Sequence, residues 1–159
     1  MRPGLSLFPV GSDEFEKVSS VQVTPDQIRF SGTVLDAFDD AEEGVDFHGI
    51  GLGDLAVGFF KIDRFYASRF PFVECSELGL RAFMVDRDQQ GKGLATDTVR
   101  ALPGYLRQLY PNATALVLTV NLANPGAIAC YLKGGFADTG EIWPHGSAGP
   151  QHIMRMTLA

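Results

Sequence analysis

Apolar residues fall along this chain in short runs, set apart by polar and turn-forming residues. Leu5 to Val10 predicts a short opening strand. Ser12-Asp13-Glu14, followed by Phe15 and Val18, has the cap and spacing of a helix start, and Thr24-Pro25-Asp26-Gln27 is a second helix entry with Ile28 and Phe30 beyond it. From there Val34, Phe38, Ala41 and Val45 recur at helical spacing, with Asp36, Asp39, Asp40, Glu42 and Glu43 on the remaining face. This predicts an amphipathic acidic helix. Two apolar runs, Phe47-His48-Gly49-Ile50 and Leu55 to Ile62, flank the turn-rich Gly51-Leu52-Gly53-Asp54 and predict a β-hairpin. An irregular aromatic segment (Phe65, Tyr66, Phe70, Phe72) follows.

Leu78 to Val85 predicts another strand, closed by Asp86-Arg87-Asp88-Gln89-Gln90, with a helix from about Gly91. Pro103 lacks an N–H and clashes with the carbonyl four residues earlier, so a stop and restart of that helix is expected. Ala113 to Asn121 is the cleanest strand pattern. Asn124-Pro125 opens a helix with Asn as cap and Pro in its first position, and Gly134-Gly135 ends it. Phe136 to Ile142 and Ile153 to Leu158 predict closing strands. The mixed order of strands and helices implies an α/β or α+β fold built on a mixed sheet.

With 159 residues, 45% hydrophobic and 20% charged, the chain is long enough for one core, and residues 1–159 are expected to form a single domain. No apolar run approaches the roughly 18 residues that a membrane helix needs. Met1-Arg2-Pro3-Gly4 leads into Leu5-Ser6-Leu7-Phe8 without a secretory h-region, so a cytoplasmic location and no membrane partner are expected. A net charge of −6 offers no basic face for a phosphate backbone, which argues against nucleic acid. Cys75 and Cys130 are the only cysteines and give no disulfide framework or CxxC metal motif. His48, His145 and His152 are too scattered for a metal site, and no metal is expected. His145-Gly146-Ser147-Ala148-Gly149 resembles a hydrolase elbow, but His145 stands where its first Gly belongs and a strand follows, so it reads as a hairpin loop.

The chemistry is concentrated in Phe83 to Ala95, a strand, a polar turn and a glycine-bearing helix start. Glycines there allow successive N–H groups to point outward at the positive end of a helix dipole and cradle a phosphate. The nucleotide-binding patterns fail: Lys92 is followed by Gly93 rather than Ser or Thr, and Thr96 stands where the dinucleotide motif wants a third Gly. Gln90, Gly93 and Ala95 instead occupy the defined positions of Gln/Arg-x-x-Gly-x-Gly/Ala. Asn124, Ala127, Tyr131, Gly135 and Phe136 match Asn-x-x-Ala-x-x-x-Tyr-x-x-x-Gly-Phe. These two motifs, in this order and with a helix and strand between them, resemble the GNAT family of N-acetyltransferases. The likeness covers about Leu55 to Leu158 well and the first third loosely. Within the family, Leu78 to Gly93 and the Val23-x-x-Asp26-Gln27-x-x-Phe30 stretch are similar to a branch containing polyamine acetyltransferase-like proteins.

The resemblance implies an acyl-CoA N-acyltransferase fold: a mostly antiparallel central sheet, flanked by helices, with two splayed central strands, Leu80 to Val85 and Ala115 to Val120. It implies acetyl-CoA as co-substrate. Main-chain atoms of Phe83 and Val85 would hold the pantetheine arm, and Gln90, Gly91, Lys92, Gly93, Leu94 and Ala95 would surround the pyrophosphate. Asn124, also a plain helix cap on its spacing, would contact the cofactor near its middle. Tyr131 would protonate the leaving thiolate, and Glu77, with Glu74 behind it, is the candidate general base. Gly79 and Arg81 stand where some members carry that carboxylate, so a water relay or attack by neutral amine stays open. The expected partner is a small-molecule amine, and a homodimer is compatible with the reading. A protein or peptide amine as acceptor, and a non-catalytic acyl-CoA-binding domain of the same fold, remain as alternatives.

Overall fold

The computed structural model describes residues 2–158, whose strands make up a seven-stranded sheet. The chain divides into two compact units, one holding the residues through Arg64 with Leu80–Ala95, the other Phe65–Gly79 with the residues from Thr96 onward.

In the first unit β1 (Leu5–Val10), β2 (Val45–Leu52) and β3 (Leu55–Asp63) form antiparallel pairs, with Leu5 opposite Leu52 and Val45 opposite Asp63. The predicted hairpin is β2 and β3, turning through Gly53-Asp54. The sheet's next strand is β4 (Glu77–Val85), whose Leu80–Val85 portion belongs here. Val10, Val18, Val34, Ala37, Phe47, Phe59 and Met84 form the core, with Phe38 packed on Phe47 and Phe15 at ring separations of 4.4 and 5.3 Å.

The expected helix start at Ser12 to Glu14 is a single 3-10 turn, Phe15–Lys17. The second entry becomes a 3-10 turn (Pro25–Gln27) running into α1 (Ile28–Ser31), with a capping box between Thr24 and Gln27. The acidic helix is shorter than its pattern predicts. α2 covers Val34–Asp39, capped by Thr33, whose hydroxyl accepts from Asp36 N at 3.1 Å, and Val45 opens β2 instead of closing the helix. Carboxylates at a helix C-terminus oppose its dipole, and Asp39, Asp40, Glu42 and Glu43 crowd that end. Burial of Val34 and Ala37 stabilises only the first turns.

In the second unit Glu77–Gly79 of β4 runs parallel to Ala115–Val117 of β5 (Ala115–Asn121). β5 pairs antiparallel along its whole length with β7 (Gln151–Thr157), which pairs with β6 (Ala137–Trp143). α3 (Leu94–Leu109) runs through Pro103 without the expected stop. Val99, Leu102 and Leu106 lie on one stripe and are fully buried, and that packing holds the helix across the missing hydrogen bond. α4 (Pro125–Gly134) is capped by Asn124 and closed by Gly135, whose N–H donates to Leu132 O. A side-chain carbon at Gly134 would sit 2.3 Å from Val99, so this glycine lets α4 lie against α3. No helix among the described residues is long and apolar enough to cross a membrane.

Candidate active site

The glycine loop is built from its surroundings inward. Asp86 N donates to Val57 O at 2.7 Å, Asp86 Oδ1 accepts from Gln22 N at 2.8 Å, and Arg87 N donates to Gln22 O at 2.7 Å. The 3-10 turn Arg87–Gln89 is capped by Asp86, whose Oδ2 accepts from Asp88 N at 3.2 Å. Gln90 then turns its amide inward: Nε2 donates to Val85 O and to Gln27 Oε1, both at 2.9 Å, and Gln27 Nε2 donates back to Gln90 Oε1 at 3.1 Å. The side chain of Gln90 therefore ties the loop to the end of β4 and to the residue that closes the Thr24 capping box. Only its main chain is left for a phosphate. Val85 O is engaged by the same amide.

Beyond Gln90 the loop is exposed. Gly91 and Gly93 have φ of 76° and 77°, the left-handed region where a Cβ is strained, and α3 begins directly after them with buried Leu94. Gly91, Lys92 and Gly93 are open to solvent, and nothing lies within 4 Å of a Cβ placed on Gly91. An exposed turn of this shape at the start of a 16-residue helix fits a diphosphate, because backbone donors and the positive end of the dipole meet there.

Upstream on β4, Ala82 adopts φ 51°, the only left-handed non-glycine among the described residues. Such a conformation costs about 1 kcal/mol or more and interrupts the pleat of the strand. Phe83, the next residue, is half-buried, with its ring 6.1 Å from that of Phe60. The register of β4 with β5 covers Glu77–Gly79, and Ala82 lies three residues past its end.

In the second unit Asn124 serves as cap, its Oδ1 accepting from Ala127 N at 3.4 Å. Tyr131, on α4, is 9% exposed, with its ring edge-on to Phe136 at 5.6 Å. Burial, with smaller contributions from Cys130 and Tyr66, pushes its phenol above the ordinary tyrosine value, so it stays protonated. Glu77 is buried, and both its oxygens are engaged: Arg155 Nε donates to Oε2 at 2.7 Å, Arg155 Nη2 to Oε1 at 3.2 Å, and Glu74 N to Oε1 at 2.9 Å. Burial alone would raise the Glu77 carboxyl, but the Arg155 and Glu74 donors outweigh it and hold the group below the usual value. A carboxylate so occupied is a poor proton acceptor.

Several polar residues escaped the sequence reading. Arg155 also donates to Phe72 O at 3.1 Å. Asn121 is buried and spans its surroundings, Nδ2 donating to Ala148 O at 2.9 Å and Oδ1 accepting from Ala123 N at 2.7 Å. In the first unit Arg81 bridges buried Asp63 and half-buried Glu42, both at 3.0 Å. His48 is buried with its ring stacked on Phe60 at 5.1 Å, and burial lowers its pKa to about 4, so it is neutral at ordinary pH. Trp143 packs edge-on against Phe70, Phe72 and His145 at 5.0 to 5.6 Å. Among the described residues no three His, Cys, Asp or Glu side chains gather as a metal ligand set.

Known proteins resemble this chain in sequence and in fold. The model of the acetyltransferase (GNAT) family matches residues 16–136. An uncharacterized N-acetyltransferase of Bacillus subtilis, YbbJ, is 27% identical over 147 residues, covering 89% of this chain and 90% of its own. A spermine/spermidine N(1)-acetyltransferase of the same species is 28% identical over 144 residues, covering 87% and 91%. Among solved structures, AAC(6')-Ib in complex with ribostamycin and coenzyme A superposes with a TM-score of 0.78 at 22% identity over 97% of this chain and 93% of its own. Spermidine N-acetyltransferase from Vibrio cholerae in complex with CoA and spermine does so with 0.72 at 14% identity over 99% and 97%. The match across most of its length, on a seven-stranded sheet of the same fold, makes this chain a member of the GNAT family of acetyltransferases.

Proposed function

We propose that the chain transfers an acetyl group from acetyl-CoA to a primary amine of a small polycationic molecule, by direct attack of the amine on the thioester. The observation that carries this reading is the exposed Gly91 to Gly93 turn at the head of α3, whose backbone donors suit a diphosphate. The amine nitrogen forms the new C–N bond, the C–S bond breaks, and the thiolate takes a proton from the Tyr131 hydroxyl, which burial keeps protonated. Tyr131 regains its proton from solvent. Phe83 main-chain atoms, next to the left-handed Ala82, are assigned to the pantetheine amides, as is Val85 through its N–H, since its carbonyl already accepts from Gln90. Asn124 is assigned a cofactor contact in addition to its capping role.

Glu77, the candidate base, is assigned a different task. Its carboxylate holds Arg155; the amine binds neutral or gives up its ammonium proton to water, and the N–H proton shed as the C–N bond forms also goes to water. The polycationic acceptor is supported by the resemblance to spermine/spermidine and aminoglycoside acetyltransferases and by the acidic balance of the chain. A CoA-release assay across polyamines, aminoglycosides, amino acids and peptide N-termini tests it. Turnover is expected on polyamines or aminoglycosides; turnover confined to peptides, or acetyl-CoA binding with no turnover at all, would replace this reading with the corresponding alternative.

A further inference from the structure

We propose that Arg2 is a phosphate-binding residue of the acetyl-CoA site, held over the glycine loop by a fixed turn; the proposal rests on the acetyl-CoA reading above. Arg2-Pro3-Gly4-Leu5 forms a turn closed by Leu5 N donating to Arg2 O at 3.2 Å. Pro3 occupies its second position and Gly4, at φ 78°, its third, the arrangement of a type II turn. Gly53 N donates to Gly4 O at 2.9 Å and Leu5 pairs with Leu52, so the turn is anchored to the β2–β3 hairpin. The backbone of Arg2 is directed by the turn and by the strand that follows.

The side chain reaches ninety residues along the sequence. Arg2 Nη2 donates to Lys92 O and lies 3.3 Å from the position a Cβ would take on Gly93. The guanidinium thus sits on the segment assigned to the pyrophosphate. A guanidinium carries five N–H donors in a planar fork, so a bond to a carbonyl and a two-point bond to phosphate oxygens are compatible on one side chain. Phosphate is the anion that fork matches in shape as well as charge. The chain carries net charge −6, with Asp86, Asp88 and Asp97 flanking this loop in sequence, and a dianionic diphosphate needs a local cation to offset that field. Lys92 supplies one charge from within the loop, and Arg2 supplies another from outside the motif.

The test compares two donors that share the acetylpantetheine arm, only one of which carries the diphosphate and its phosphoadenosine. For the full chain and for Arg2→Ala and Arg2→Lys, kcat/KM is measured with acetyl-CoA and with S-acetylpantetheine, and CoA affinity is measured by calorimetry at low and high salt. Loss of a charge-assisted phosphate contact predicts CoA affinity and acetyl-CoA kcat/KM lowered about ten- to a hundred-fold in Arg2→Ala, through KM, with a smaller loss in Arg2→Lys. The deficit should shrink as salt rises, and S-acetylpantetheine should be used equally well by all three proteins. Equal CoA affinity in parent and Arg2→Ala overturns the proposal, as does a deficit that stays the same as salt rises, which would mean that Arg2 only props the loop, or an equal loss with both donors, which would mean general damage to the protein. A parent chain without affinity for CoA would overturn the acetyl-CoA reading itself, and this proposal with it.

Discussion

The two ends of the proposed chemistry are built in opposite ways. At Gly91 to Gly93 the work falls chiefly to exposed backbone, with Gln90 turned inward to Val85 and Gln27. At Tyr131 it falls to one buried hydroxyl, kept protonated chiefly by the burial that excludes water. A backbone site is damaged by adding atoms, and a side-chain site by removing them. The two kinds of damage should also appear in different constants, binding for the loop and turnover for the phenol.

The largest expected effect lies at the phenol. Tyr131→Phe keeps the ring against Phe136 and removes the proton donor, which should lower kcat by roughly 10²-fold. Because burial raises the phenol, any alkaline limb due to Tyr131 should lie above the ordinary value of about 10 in the parent and vanish in the variant. Steady-state kinetics across pH checks both, and wild-type turnover in Tyr131→Phe would return the residue to packing.

A middle-sized effect separates a structural carboxylate from a catalytic one. The Glu77 carboxyl is lowered in the folded state, so its contribution to stability is present above the unfolded value of about 4.3 and is lost as pH falls through the folded value. Glu77→Gln should therefore unfold more readily at neutral pH and show a weaker acid destabilisation than the parent. The loss should be roughly 1 to 3 kcal/mol, below that for a fully buried pair because the Arg155 side chain is a third exposed. Urea melts at pH 7 and pH 4 measure this. A base role would instead remove the acidic limb of the pH–rate profile while leaving stability unchanged.

The smallest effect belongs to the acidic run after α2. Glu42 is paired with Arg81, so its charge is partly spent within the fold. Neutralising Asp39, Asp40, Glu42 and Glu43 together should raise KM for a polycationic amine only a few-fold at low salt, fading as the Debye length drops below about 8 to 10 Å. Equal KM values at low salt would make these charges a solvated face.

How much of this was legible in sequence follows the same division. Motifs record backbone shape and local capping well: β1 and the α4 cap at Asn124-Pro125 stand where their patterns place them, and the glycine loop ends at α3. Patterns fail where tertiary packing decides. Buried Val99, Leu102 and Leu106 carry α3 through Pro103, and an acidic C-terminus stops α2 although its apolar spacing continues to Val45. The partners of Glu77 and Gln90 were invisible because Arg155 lies 78 residues from one and Gln27 lies 63 from the other. No local spacing joins residues that far apart. A carboxylate one residue before a strand pattern looks the same whether it accepts a proton or holds a guanidinium.

The most direct test of the division between loop and phenol is one calorimetric titration of acetyl-CoA into three folded proteins. Gly93 is at φ 77°, and a side chain there is strained and also meets the Arg2 guanidinium at 3.3 Å. The parent and Tyr131→Phe should bind acetyl-CoA alike, and Gly93→Val should bind at least about ten-fold more weakly, as expected when the close approach of a phosphate to backbone donors is blocked. A folded Gly93→Val protein with the parent's affinity, or a Tyr131→Phe protein that loses binding instead of turnover, would contradict the assignment of the loop to the cofactor and of the phenol to the chemical step.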